Sequence, residues 1–177
     1  MLVRTSVNLW LAALMVFAGP AWTDTITRLD PEWAWRDTRT LTELVEVFDT
    51  WLDQNTDFHR TDARPQVEII SPSFAASIQG SPVSRFGRLR GLFDPGTSTI
   101  YLILPWDRNN PYDASVLLHE LVHVRQFSRH YSCPGAQEEA AYRHQDDWLR
   151  ERGLHAQVNW IAVILEAGCN RRDFHPD

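Results

Sequence analysis

The chain turns on the run Asp113-Ala114-Ser115-Val116-Leu117-Leu118-His119-Glu120-Leu121-Val122-His123-Val124-Arg125-Gln126-Phe127. Leu117, Leu121 and Val124 recur at i, i+4 and i+7, the spacing of a helix with one buried face. His119 and His123 stand at i and i+4, so both imidazoles leave the same side of that helix toward one point. A zinc ion takes two of its ligands from such a pair, and Glu120 between them lies beside the open coordination position, where it can accept a proton from a metal-activated water. Asp113, just behind Pro111 and Tyr112, is expected to cap the helix. An amphipathic helix with two exposed histidines is the plainer alternative. The apolar context on both sides of the motif favours the metal.

A catalytic zinc usually has three protein ligands. One known pattern supplies a third histidine six residues after the second, with an intervening glycine. Here those places hold Gln126 and Arg129, and His130 falls one residue too late, so that pattern is excluded. The next strongly helical stretch, Ala136 to Arg152, carries Glu138 and Glu139 ahead of Ala141, Tyr142, Gln145, Trp148 and Leu149. Either glutamate is a candidate ligand.

With these residues in place the chain resembles the gluzincins, zinc peptidases whose third ligand is a glutamate on a second helix. Glu138-Glu139-Ala140-Ala141-Tyr142 matches the E-x-x-A-D of the prenyl-protein-type peptidases, with Tyr142 in place of the aspartate. It is also similar to small secreted bacterial proteins with H-E-x-x-H-x-x-Q and a later E-x-x-A-Y-x-x-Q. The likeness covers roughly residues 85 to 150. It implies Glu138 as the ligand, and helical geometry agrees: Glu138, Tyr142, Gln145 and Leu149 share one face, from which Glu139 is turned by about 100°. The replaced aspartate normally orients a ligand histidine, a role left to Tyr142 or Gln145.

The resemblance further implies a zinc-dependent peptidase acting on a peptide or protein substrate, with Zn2+ on His119, His123 and Glu138 and with Glu120 as general base. The strand before the motif helix, Thr97 to Leu104, would border the cleft. Tyr131, Tyr142 and Arg108 are candidate oxyanion donors. The alternative is a secreted zinc-binding protein without turnover, a pseudo-peptidase or interaction module. A di-iron bundle is excluded, because no other glutamate has a histidine three residues on.

Upstream, Thr40-x-x-Glu43 is a capping box leading into Leu41, Leu44, Val45, Phe48, Trp51 and Leu52, a core-packing helix that ends near Asn55. Gln66 to Ile70 reads as a strand, and Pro72 to Ile78 as one or two helical turns. Arg88 to Phe93 and Thr97 to Leu104 form a hairpin around Asp94-Pro95-Gly96-Thr97, the second strand apolar on both faces. A last helix is expected from about Leu154 to Ala167. The fold class is α+β, a minimal zincin-like fold with a small sheet packed on the motif helix and further helices around it. The cleft is expected to be shallow, or closed by an irregular arm that starts a helix near Pro31 and carries Trp33 and Trp35. Trp148 and Trp160 read as core.

The 177 residues divide into a signal peptide, 1–21, and one domain, 22–177. Arg4, the apolar run Val7 to Phe17 and Gly19-Pro20-Ala21 have the make-up of a cleaved signal, and the run is too short for a membrane anchor. A secreted or periplasmic location follows, where Cys133 and Cys169 can form a disulfide. The formal charge of −6 and the absence of any basic run argue against a nucleic-acid partner. All seventeen basic residues are arginine.

Overall fold

Helix α1 (Leu41–Asn55) begins where the sequence says it should: the Thr40 hydroxyl accepts from the Glu43 N–H at 3.1 Å. The Glu43 carboxylate turns back to the N–H of Arg39 at 2.6 Å. Leu44, Val45, Phe48 and Leu52 are buried along one face. The computed structural model describes residues 34–79 and 89–169, so residues 1–21, expected as a signal peptide, and Pro31, Trp33 and Arg88 lie outside the described residues. Among the described residues, five α-helices and one small mixed sheet make an α+β fold.

The sheet has the order β1-β3-β2, from β1 (Gln66–Ile70), β2 (Gly91–Asp94) and β3 (Thr99–Ile103). β1 runs parallel to β3, as its crossover through helix α2 (Pro72–Gln79) requires, and β2 pairs antiparallel. In the turn between β2 and β3, Asp94 accepts from the Gly96 N–H at 2.9 Å and the Thr97 hydroxyl at 2.8 Å. Ile100 and Leu102 enter the main core, while Ile103 faces Ala75 of α2. β3 is therefore apolar on both faces, as its composition requires. Being central, it has no free edge. Among the described residues the strand with an open side next to the motif helix is β2, which corrects the expectation that a peptide pairs with the edge of Thr97 to Leu104.

Helix α3 (Pro111–Gln126) carries the motif through the middle of the molecule, packed on β2, β3, α1 and helix α4 (Glu138–Arg150). Its cap is Asn110, whose side-chain oxygen accepts from the Tyr112 N–H at 3.0 Å. Pro111 has its φ preset and no N–H to satisfy, so it takes the first helical position and moves the cap one residue ahead of it. Asp113, expected as the cap, sits inside the first turn and anchors the preceding loop instead. It accepts from the Asp107 N–H at 2.8 Å and pairs with Arg90.

A short 3-10 turn, Pro134–Gln137, leads into α4. Trp148 of α4 is buried edge-on against Trp35 and Phe48, with ring centroids 5.4 and 5.2 Å away. Trp35 is thus core rather than part of a cleft-closing arm. Past α4 the chain reverses at Gly153, whose φ of 69° is the left-handed conformation that glycine adopts freely. Residues 154–159 are not helical. Helix α5 (Trp160–Ala167) starts later than expected because Asn159 caps it, accepting from the Ala162 N–H at 3.2 Å. Cys133 and Cys169 form a disulfide that binds the end of α5 to the start of the 3-10 turn. No helix among the described residues is long and apolar enough to cross a membrane.

Candidate metal centre

Helix α3 presents His119 and His123 one turn apart with their Nε2 atoms 3.1 Å from each other. Glu138, the first residue of α4, closes the third side: its two carboxylate oxygens lie 3.4 Å from the Nε2 atoms of His119 and His123. One donor atom from each of the three residues falls within 4.8 Å of the others, and this group can hold a metal ion. Two imidazoles and a carboxylate are the donors of divalent transition-metal sites. Glu139, the rival ligand, faces outward and grips Arg143 one turn on, at 2.6 Å.

Glu138 reaches this position because the turn before it is pressed against α5. A side chain at Gly135 would put its Cβ 2.5 Å from the Glu166 carbonyl oxygen, a backbone atom that cannot move aside, so the close approach needs glycine. The Cys133–Cys169 bridge fastens the same turn from its other end.

Glu120 is buried beneath β2. The Phe93 backbone amide faces its carboxylate and favours the charged form, and a Cβ at Gly91 would stand 2.6 Å from its Oε1. A side chain at that strand position would have to displace Glu120 or Val116. The ladder explains the direction of the amide. The Ile103 N–H bonds to the Arg90 carbonyl at 2.9 Å, so bonded pairs with β3 fall on Arg90, Leu92 and Asp94 by alternation, and Phe93 turns its backbone to the open edge. Glu120 therefore lies at the free edge of the sheet, next to the ligand cluster.

Charge within the cluster is strongly coupled. Burial pushes the Glu120 carboxyl above the usual carboxylate range, against the pull of His119 and His123. Burial by itself would lower the His123 ring, but hydrogen bonding to Glu138 and the charges of Glu120 and Glu138 outweigh it and raise the ring to about 9. Glu138 shows the mirror effect: burial raises it, and the two histidines more than compensate, holding it well below the usual range. These are groups arranged to trade a proton for a cation.

Of the three oxyanion candidates, Tyr142 is brought onto the cluster, its ring centroid 4.4 Å from that of His119. Burial and the charges of Glu138, Glu120 and Glu166 push its hydroxyl up to about 12, so it remains a proton donor at neutral pH. Tyr131 lies in the connection after α3, and Arg108 in the loop before it. Gln145, considered as an orienter of a ligand histidine, instead donates to the Ser115 hydroxyl at 2.9 Å. A residue to which the sequence assigned no role makes a hydrogen bond to the other histidine. Gln126 is fully buried, with its Oε1 2.9 Å from His123 Nδ1. Its sequence signal was its place three residues after His123, on the same helical face.

The family model of DUF6647, a domain of unknown function, matches residues 37–177. The chain belongs to this family. The span matched to DUF6647 contains His119, Glu120, His123, Glu138 and both cysteines. Comparison with curated proteins and with solved structures found no match.

Proposed function

We propose that this protein is a secreted zinc-dependent peptidase of zincin-like type, with His119, His123 and Glu138 holding the ion and Glu120 serving as general base. The observation that carries the reading is the position of Glu120. Among the described residues it is a carboxylate placed both beside the three-donor group and at the open edge of a strand, where the Phe93 backbone amide faces it. An extended peptide laid along β2 would pair with its outward backbone groups and bring a carbonyl toward the cluster. When bound, zinc supplies Lewis acidity that polarises the carbonyl and acidifies water. Glu120 takes the water proton and delivers it to the departing amine, a task suited to a carboxyl whose affinity for protons burial has raised. Tyr142 donates a hydrogen bond to the oxygen on which negative charge develops.

The donor set, two imidazoles and one carboxylate, suits zinc as it suits other divalent transition metals; zinc is chosen for the H-E-x-x-H spacing, with Glu120 between the two histidine donors. Secretion is supported by the disulfide, which persists in oxidising compartments.

Purified mature protein should carry about one zinc per chain by elemental mass spectrometry. It should cut members of a mixed peptide library, with the new termini identified by mass. Glu120→Gln should keep the zinc and lose cleavage by roughly 100-fold or more. Zinc retained with no cleavage by the wild type would favour the non-catalytic zinc-binding alternative. Absence of zinc after purification without chelators overturns both.

A further inference from the structure

Gln126 is a buried amide with both ends committed. Its Nε2 donates to the Gln137 backbone carbonyl at 3.1 Å. A carbonyl can only accept, so that contact fixes which end of the amide carries nitrogen. The opposite end, Oε1, therefore faces His123 Nδ1 as an acceptor at 2.9 Å, and the proton between them belongs to the histidine. With Nδ1 protonated, the lone pair of the neutral ring sits on Nε2, the atom that faces His119 and Glu138. The carbonyl at the other end belongs to the residue immediately before Glu138.

One side chain thus spans from a ligand on α3 to the backbone that launches the ligand on α4. His119 has no equivalent: its Nδ1 is buried and has no hydrogen-bond partner among the described residues. Its ring is held instead by the face of Tyr142.

Building on the metal-site reading above, we propose that Gln126 is a positioning residue that sets the His123 tautomer and ties it to Glu138. Through it the two ligand helices bind the ion as one unit. Substituting such an outer partner weakens a metal site by roughly 10–100-fold.

The test has two arms. In the first, zinc affinity is measured by competition with a chromophoric chelator for wild type, Gln126→Met and Gln126→Glu, with melting curves recorded on each. Gln126→Met has similar volume and makes neither bond, so it should bind zinc roughly 10–100-fold more weakly. Gln126→Glu can accept from His123 but cannot donate to the Gln137 carbonyl, and should fall between the two. A folded Gln126→Met protein with wild-type affinity overturns the proposal and leaves the metal site standing. In the second arm, nitrogen-15 correlation spectra of the His123 ring are recorded on zinc-loaded wild type and on metal-free wild type at alkaline pH, where the ring is neutral. A proton on Nδ1 in both is the expected result. A proton on Nε2 in the metal-free protein overturns the proposal without any variant having to fold. The metal-free spectrum also decides it if the wild type binds no zinc, an outcome that by itself strikes at the metal reading.

Discussion

The two halves of the ligand cluster are held by different physics. On the α3 side, His119 and His123 ride on a helix buried along most of its length, covered by β2, β3, α1 and α4. Arg125, two residues past His123 and so on the opposite side of the helix, is almost wholly buried and pairs with Asp49 at 2.7 Å and Asp53 at 2.8 Å, while also donating to the Phe58 carbonyl at 3.0 Å. On the α4 side, Glu138 stands at a helix start that follows a short 3-10 turn, with its side chain 32% exposed. That turn is fastened by one disulfide, one glycine contact and one glutamine bond. The histidines are positioned by the core, whereas the glutamate is positioned by a few discrete ties. The difference teaches where the site can be loosened without unfolding the domain.

The largest effect should come from breaking the core side. Asp49→Ala leaves the Arg125 guanidinium buried with an incomplete set of partners, a loss of about 3–5 kcal/mol. Urea unfolding should show a lower midpoint with an unchanged slope, and zinc should be lost only as the whole domain unfolds. The peripheral side should respond differently. Cys133→Ser with Cys169→Ser opens a loop whose ends are 36 residues apart, costing about 2–4 kcal/mol. Hydrogen exchange should rise first in the 3-10 turn and α5, and zinc affinity should fall at urea concentrations where α3 is still protected. If α3 and α5 lose protection together, the two sides are one cooperative unit and the contrast between them fails.

A smaller and reversible effect separates proton from metal. In the metal-free protein the His123 ring is raised from 6.5 to about 9, so its contribution to stability is present below 6.5 and lost as pH rises through 9. Glu138 is depressed, so its contribution is present above its ordinary value of 4.5 and lost as pH falls well below it. Glu120 is raised and binds more protons folded than unfolded, which also lowers stability as pH rises. Melting temperatures of metal-free protein should therefore decline between pH 6.5 and 9. Over the same interval added zinc should stabilise progressively more, because a neutral ring no longer has to release a proton. A metal-free melting temperature flat across that range, measured in several buffers, counts against the coupling of His123 to Glu138.

How much of this was legible beforehand follows the same division. Local codes read correctly: the Thr40 capping box, β1 from Gln66 to Ile70, the hairpin turn at Asp94, the stop at Gly153 and the α+β class all appear where residue chemistry places them. The resemblance and the place on one helical face favour Glu138 over Glu139, which stays the alternative; the structure groups Glu138 with His119 and His123 and pairs Glu139 with Arg143. What escaped depended on pairs distant in sequence. Alternation marked β2 and β3 as strands but carried no information on which would be central, so the open edge was assigned to the wrong one. Gln126 reads only as the Q of H-E-x-x-H-x-x-Q, without a role, because its second partner, the Gln137 carbonyl, lies beyond a turn. The start of α5 was misjudged because Leu154 and Ala156 are apolar through packing on the core and not through helical repeat.

The smallest expected effect is also the sharpest test of the glutamate assignment. Glu139 and Arg143 form an exposed i, i+4 pair at 2.6 Å, the kind that adds about 0.2–0.5 kcal/mol to a helix. Glu139→Ala should therefore change the melting temperature by little and leave zinc stoichiometry intact. Glu138→Ala removes a carboxylate lying 3.4 Å from both imidazoles, and should abolish tight zinc binding. It should also let the His123 ring titrate nearer its ordinary value, since a hydrogen-bonding carboxylate that raises it has gone. The two neighbours are chemically identical and adjacent in sequence. Any difference between their variants must then come from the 100° that one residue turns on a helix. Equal zinc loss from both would mean that the α4 start rearranges around the ion, and that the ties holding Glu138 in the metal-free protein do not decide the bound geometry.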